Sequence, residues 1–387
     1  MAKGPENVQN FLQSIWGPAR RKVKKDTIEL NKLFKSDGYS GKLKPWDWRY
    51  YAEKKREKKF KFNEDDVKSY FQLDNLIDAI SYSCNRLFNL KLKKVEMSAY
   101  HEDCKVFEVL KDNKRIGLFI GDYYAREGKR SGAWCSTFRN QSKVNGKRLN
   151  PIVLNVCNFS KPQKGMPCLL TFDEAKTLFH EFGHALHQLL SNVNFEMLSG
   201  TSVSRDFVEL PSQWFEHWLE SEEILKKFTC HYETKNNIPS KLLKNVILSR
   251  TFNSGFDTAE YLASAIMDIK LHSEKPNSNP IKLEKTYLER IGLTKAIYPR
   301  HNLAQFQHIF SGGGYASAYY SYMWSEMMDE DAYSAFVETG NIFDKETAKS
   351  FEKNILSKGG LKEPEILYKA FRKKLPDPKI LIKSRNL

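Results

Sequence analysis

Catalytic residue types stand closest together in the segment His180-Glu181-Phe182-Gly183-His184. Two imidazoles one helical turn apart reach a single metal ion, at about 2.0–2.1 Å for Zn2+. The glutamate beside the first is placed to take a proton from water at that metal, so the pattern points to metal-assisted hydrolysis with Glu181 as the base. Histidine is scarce, nine residues in 387, which sets the pair apart from a histidine-rich surface. A hydrolytic site of this kind uses three protein ligands and leaves a fourth position open. Two residues compete for the third place. His187 shares the histidine face but lies about 10 Å from His180 along a straight helix. Glu209 follows His184 by 25 residues, and Pro211 close behind it marks a helix start or kink. A glutamate on a following helix, packed antiparallel, is the other way to complete such a site. Glu209 is therefore expected as the ligand, with His187 the runner-up. Asp206 is a candidate acceptor for the second N–H of a ligand histidine.

Such residues work only if a helix holds them in phase. Thr171 and Glu174 form a capping box, and an apolar pattern follows at once. Leu178, Phe179, Phe182, Leu186 and Leu189 fall on the side opposite the histidines, which gives one face for the core and one for a metal.

A second dense segment runs from His308 through Ser311-Gly312-Gly313-Gly314 to Tyr322. The glycines predict a loop whose backbone approaches a ligand closely, followed by a helix start. Tyr315, Tyr319 and Tyr322 then occupy one helix face at i, i+4 and i+7, and Tyr320 points elsewhere. Phenol and imidazole donors at a hydrolytic centre would stabilise the negative charge that develops on a carbonyl oxygen.

The remaining elements follow from periodicity. Residues 6–35 read as a helix or helix pair, 46–61 as a polar helix and 64–90 as two further helices. Residues 106–110 and 116–120 are strand-like about an Asp112-Asn113 turn, and 132–139 and 151–156 form a second strand pair with Asn145-Gly146 in the connection. From Thr171 onward the pattern is helical. The expected fold is mainly α with a small β-sheet: a helical lead-in over 1–94, the sheet over 95–158 and a helical metal-site region over 171–387, together one catalytic region.

Composition narrows the function classes. Hydrophobic residues make up 41%, enough for a large core. The 62 Lys and Arg exceed the 47 Asp and Glu by 15, and only 16 of the 62 are arginine. Arginine is the usual residue for bidentate phosphate and base contacts, so lysine dominance argues for a solvated surface and against nucleic acid. The six cysteines form no C-x-x-C pair, which suits a reducing compartment. No apolar run approaches the ~18 residues of a membrane span, and a cytoplasmic chain without a membrane partner is expected.

Phe179 to His187 and Phe207-Val-Glu-Leu-Pro-Ser-Gln213 resemble the two zinc-helix motifs of the thimet oligopeptidase family of zinc metallopeptidases. Gly313-Gly-Tyr-Ala316 and Tyr319-Tyr-Ser-Tyr-Met-Trp324 resemble its tyrosine motif. Pro45-Trp-Asp-Trp-Arg-Tyr-Tyr51 and Ser199-Gly-Thr201 point to its branch of bacterial dipeptidyl carboxypeptidases and oligopeptidase A. The resemblance runs over nearly the whole chain. It implies a zincin-like catalytic domain that hydrolyses oligopeptides, by release of C-terminal dipeptides or as an oligo-endopeptidase. It implies one Zn2+ per chain on His180, His184 and Glu209, with Glu181 as base and then proton donor. His308 and Tyr322 would stabilise the tetrahedral intermediate, and Tyr315 and Tyr319 would contact substrate. Gly132 and Ala133, before Trp134, resemble the strand that pairs with substrate backbone. If a terminal carboxylate is bound, Arg126, Lys129 and Arg130 are candidate grips.

Two departures bear on these expectations. Members of the family are nearly twice as long, so Met1 aligns with an interior position. The chain is then a monomer that lacks the family's N-terminal half, or works with a partner chain that supplies it, or is a zinc-binding remnant without turnover. The stretch between His308 and Tyr315 is also one or two residues longer than the family pattern.

Overall fold

Asp112 and Asn113 both adopt left-handed backbone (φ 48° and 63°), as a two-residue turn between twisted strands requires. The hairpin they close belongs to a computed structural model that describes residues 1–275, 279–311 and 314–387. Gly312 and Gly313 of the expected loop lie outside the described residues. The described chain is mainly helical with a small sheet, and no helix in it is long and apolar enough to cross a membrane.

The strands are β1 (Leu90–Lys94), β2 (Lys105–Lys111), β3 (Lys114–Tyr124), β4 (Trp134–Arg139), β5 (Ser142–Val144), β6 (Lys147–Leu149) and β7 (Ile152–Phe159). Five form one sheet in the order β1-β2-β3-β7-β4, antiparallel throughout except between β3 and β7. The predicted pairing of the 132–139 and 151–156 segments is present as β4 on β7. Asn145 and Gly146 close the small β5–β6 hairpin, also with positive φ. β1 was not expected. It lies at the end of the stretch read as helical, because Asn89 turns into left-handed backbone (φ 54°) and ends helix Leu73–Phe88 there.

Contacts divide the chain into two compact units that interleave along the sequence. The first unit comprises Met1, Asn63–Leu243 and Met328–Leu375. Its sheet has two covered faces. One carries the cluster Val106, Ile120, Leu154 and Val156. The alternate residues face helix Phe172–Leu189, where Phe119 meets Phe182 edge-on at 5.0 Å. On its far side that helix packs against helix Leu210–Leu219, with Phe179 and Phe215 stacked at 5.5 Å. Trp214 and Trp218 carry this aromatic layer on to Phe336.

The second unit comprises Ala2–Phe62, Lys244–Met327 and Pro376–Leu387. Residues 6–35 form one helix, Pro5–Ser36, continuous through Pro18. It packs along helix Ser254–Ser273, and the core between them includes Leu12, Ile15, Trp16, Leu262 and Ala265. Helix Pro45–Phe60 is polar, as its charges predict, and is anchored by Trp48, which stacks on Phe256 and donates to Asn253 Oδ1 at 3.0 Å.

Candidate active site

The metal helix starts where its capping box places it. Thr171 Oγ1 accepts from Glu174 N at 3.1 Å, and Glu174 Oε2 accepts from Thr171 N at 2.8 Å. With Leu178, Phe179, Phe182 and Leu186 buried, His180 and His184 share the opposite face, their rings 5.0 Å apart and nearly perpendicular. Glu209 sits at the joint between the short helix Arg205–Val208 and helix Leu210–Leu219, with Pro211 in the first turn of the latter. Gly183 lets the two helices approach: a Cβ there would stand 2.5 Å from Ser212 Cα and 2.6 Å from Pro211 O. The approach brings Glu209 Oε2 to 3.3 Å from His180 Nε2 and 3.1 Å from His184 Nε2. One ligand atom from each of the three residues lies within 4.8 Å of the others.

The charges around this trio fit a cation. His180 Nδ1 lies 2.6 Å from Glu216 Oε1, which gives an N–H there a carboxylate acceptor and turns Nε2 toward Glu209. A divalent metal ion would take the Nε2 atoms of both histidines and the Glu209 carboxylate as its ligands. Glu209 stays ionised: burial raises its pKa, but His184 and His180 hold it well below the usual carboxylate range. Glu216 is likewise held down, to about 2, because Lys176 and His180 outweigh its burial. Lys176 Nζ is 3.0 Å from Glu216 Oε2.

Asp206 does not take the acceptor role expected of it. It pairs with the Met1 ammonium at 2.9 Å and with Ser204 Oγ at 3.0 Å. Glu216 takes that role and was missed. The available signal was its spacing of seven from Glu209, two turns along one helix face. His187 is outside the three-residue cluster. It is fully buried, and burial followed by the nearby His184 pushes its pKa down to about 3, so it is neutral. Glu181 is buried beside the trio, and burial is the main cause of its raised pKa, ahead of the opposing pull of His180 and His184. Its Oε2 has no hydrogen-bond partner.

The tyrosine segment belongs to the second unit. The expected helix start at Tyr315 is delayed: residues 314–320 are turns, Ser317 has a φ of 60°, and the helix runs Ser321–Glu338. The buried Asp268 causes this, accepting from Ser317 N and Tyr319 N at 2.9 Å each. Tyr315 and Tyr322 still stack at 5.3 Å, and the His308 ring lies 6.1 Å and 6.4 Å from theirs. Tyr319 is only 3% exposed and packs edge-on against Phe306, so its ring is a core element of this cluster. Tyr320 lies against Trp324.

The profile described as Peptidase family M3 matches residues 1–387. The chain belongs to peptidase family M3. It is 36% identical over 396 residues to the dipeptidyl carboxypeptidase of Escherichia coli (strain K12), an alignment covering 100% of this chain and 57% of that protein. It is 36% identical over 383 residues to oligopeptidase A of the same organism, covering 97% and 56%. The organellar oligopeptidase A of Arabidopsis thaliana is 31% identical over 405 residues, covering 100% and 50%. The chain thus spans half to three-fifths of the length of these relatives.

In this M3 chain β4 is an edge strand, paired on one side with β7. It packs against the metal helix. Gly132 precedes it with a φ of 93° and is exposed, its carbonyl held by Asn158 Nδ2 at 2.7 Å; Ala133 follows, half-buried. The candidate carboxylate grips are mostly engaged elsewhere. Arg126 makes a two-point contact with the buried Asp122, at 2.6 and 2.8 Å, and Lys129 reaches the same carboxylate at 2.9 Å. Arg130 is exposed. The six cysteines are all free thiols.

Proposed function

We propose that this chain carries the zinc-dependent peptidase site of an M3 enzyme, hydrolysing oligopeptides with release of C-terminal dipeptides. The observation that supports this reading best is the convergence of His180, His184 and Glu209 with the buried Glu181 beside them. Cleavage at internal bonds is the second reading, favoured by the equal identity to an oligopeptidase A. A cytoplasmic location is part of the proposal, on the six unpaired thiols.

A bound Zn2+ would be held by His180, His184 and Glu209, and would polarise the scissile carbonyl and acidify a water. The Glu181 carboxylate takes the proton of the attacking water as the new C–O bond forms. It then delivers that proton to the amine nitrogen as the C–N bond breaks. Burial suits it to both steps, because a raised pKa lets the carboxyl group hold the proton between them. Substrate backbone would add to the open edge of β4 by main-chain hydrogen bonds. His308, Tyr315 and Tyr322 keep the oxyanion and substrate roles that the family resemblance implies; Tyr319 shares the implied role but has a buried ring.

The test is hydrolysis of fluorogenic peptides by the zinc-loaded chain, with and without chelator, and by Glu181→Gln with its metal retained. Chelator-sensitive turnover lost in Glu181→Gln is expected; undiminished hydrolysis by that variant would sink the mechanism. Zinc bound at one per chain without turnover of any peptide library would favour a metal-binding chain without catalysis. Mass spectrometry of the products separates dipeptide release from internal cleavage.

A further inference from the structure

The ladder between β4 and β7 begins at Trp134, opposite Val156. Continued outward by two residues in the same antiparallel register, it sets Gly132 opposite Asn158. There a side chain takes up the pairing. Asn158 Nδ2 donates to Gly132 O at 2.7 Å and to Arg130 O at 2.8 Å. An amide nitrogen carries two hydrogens, and both are spent on the segment that leads into β4. A Cβ on Gly132 would meet nothing within 4 Å, so its left-handed backbone (φ 93°), and not crowding, favours glycine there.

The contact has a directional consequence. A trans peptide unit points its C=O and its N–H in opposite directions, and no peptide bond in the described chain is cis. With Gly132 O turned to Asn158 on β7, the N–H of Ala133 points away from β7. On that side β4 has no neighbouring strand. Lys129 stakes the far end of the same loop, where its Nζ donates to Tyr124 O at 2.7 Å and to Asp122 O at 3.1 Å. Residues 130–132 in between are exposed. The aim of the Ala133 N–H therefore depends on the two carbonyls that Asn158 holds.

We propose that Asn158 is a positioning residue for substrate: by holding the Gly132 and Arg130 carbonyls it aims the Ala133 N–H outward, to receive a backbone carbonyl of a peptide lying along β4. This rests on the reading of β4, which packs against the metal helix, as the substrate edge of a peptidase. The ligand class is an extended peptide of any sequence, because a main-chain donor reads backbone and not side chains. Aspartate has the shape of asparagine but could not serve, since an ionised carboxylate only accepts and would face two carbonyl oxygens.

The test pairs kinetics with hydrogen exchange on the zinc-loaded chain. With a fluorogenic oligopeptide, Asn158→Asp is expected to raise KM about tenfold with kcat within about twofold, the mark of an interaction made equally in the ground and transition states. Asn158→Gln, which keeps both donors, should recover part of the loss. Asn354→Ala removes another amide-to-carbonyl contact of the same unit, to Ser350 O, and should leave KM unchanged. A KM within about twofold of wild type in Asn158→Asp overturns the role in substrate binding. Exchange read by mass spectrometry needs no turnover. Over residues 130–134 it should quicken about tenfold in Asn158→Asp, and unchanged exchange overturns the hold on the loop. In the Glu181→Gln background an added oligopeptide should slow exchange at these residues, and Asn158→Asp should abolish that protection. Equal protection in the two, including none in either, overturns the proposal. Failure of the peptidase reading shows separately, as zinc-loaded wild type that turns over no peptide.

Discussion

His180 Nδ1 lies 2.6 Å from Glu216 Oε1, while Nε2 of the same ring lies 3.3 Å from Glu209 Oε2. One carboxylate thereby orients the ring that faces another. Acceptors of this kind also raise the basicity of a ligating imidazole.

Replacing Glu216 should weaken the metal centre without removing a ligand. Glu216→Ala frees the His180 ring to rotate and removes the acceptor for its N–H. Affinity for Zn2+ is expected to fall about 10- to 100-fold, measured by competition with a chromophoric chelator. Affinity equal to wild type would show that the contact does not tune the site.

Gly183 governs how closely the two metal-bearing helices approach. In Gly183→Ala the new Cβ meets Ser212 Cα and Pro211 O, backbone atoms that cannot step aside. The expected cost is about 1–3 kcal/mol, read as a lowered Tm in calorimetry. Zinc affinity should fall with it, because Glu209 lies two residues before Pro211 on the displaced segment.

Removing the metal should destabilise the first unit. Two imidazoles and a carboxylate lose the ion they converge on, and Tm should fall on dialysis against chelator and recover on return of zinc. At a thousandfold excess over Kd the gain from zinc is on the order of 4 kcal/mol. Glu209→Gln should lose most of that gain, and a full zinc response in that variant would remove Glu209 from the ligand set.

Asp122 makes a prediction in acid. Its pKa is about 2: burial raises it, but hydrogen bonds from Arg126, Lys129 and Tyr100 outweigh the burial. A carboxylate with a depressed folded-state pKa contributes stability that is fully present above its unfolded value, near 3.8, and is lost as pH falls through about 2. The linkage amounts to about 2 kcal/mol at neutral pH. In urea titrations the deficit of Asp122→Asn against wild type should be constant above about pH 5 and narrow steadily between about pH 4 and pH 2. A deficit independent of pH would show that Asp122 contributes by packing alone.

What the sequence determined by itself was local. The capping box sets where the metal helix begins, the spacing of four puts His180 and His184 on one face, and Pro211 marks the helix start beside Glu209. The Asp112-Asn113 and Asn145-Gly146 turns are written in residues that accept left-handed backbone. Each of these depends on neighbours within a turn or two, which is why periodicity and cap chemistry reveal them.

Only the tertiary structure decided the rest, because it turns on which distant residues meet. Arg126 and Lys129 lie only four and seven residues from Asp122, yet they look free in the sequence because the sheet decides that this carboxylate is buried. The tyrosine helix starts late because Asp268, some fifty residues earlier, claims the backbone N–H groups of Ser317 and Tyr319. The interleaving of the two units follows from long-range packing, which no local pattern encodes. A hydrogen bond stabilises whichever group folding brings within about 3 Å of its partner, and separation along the chain carries no information about that distance.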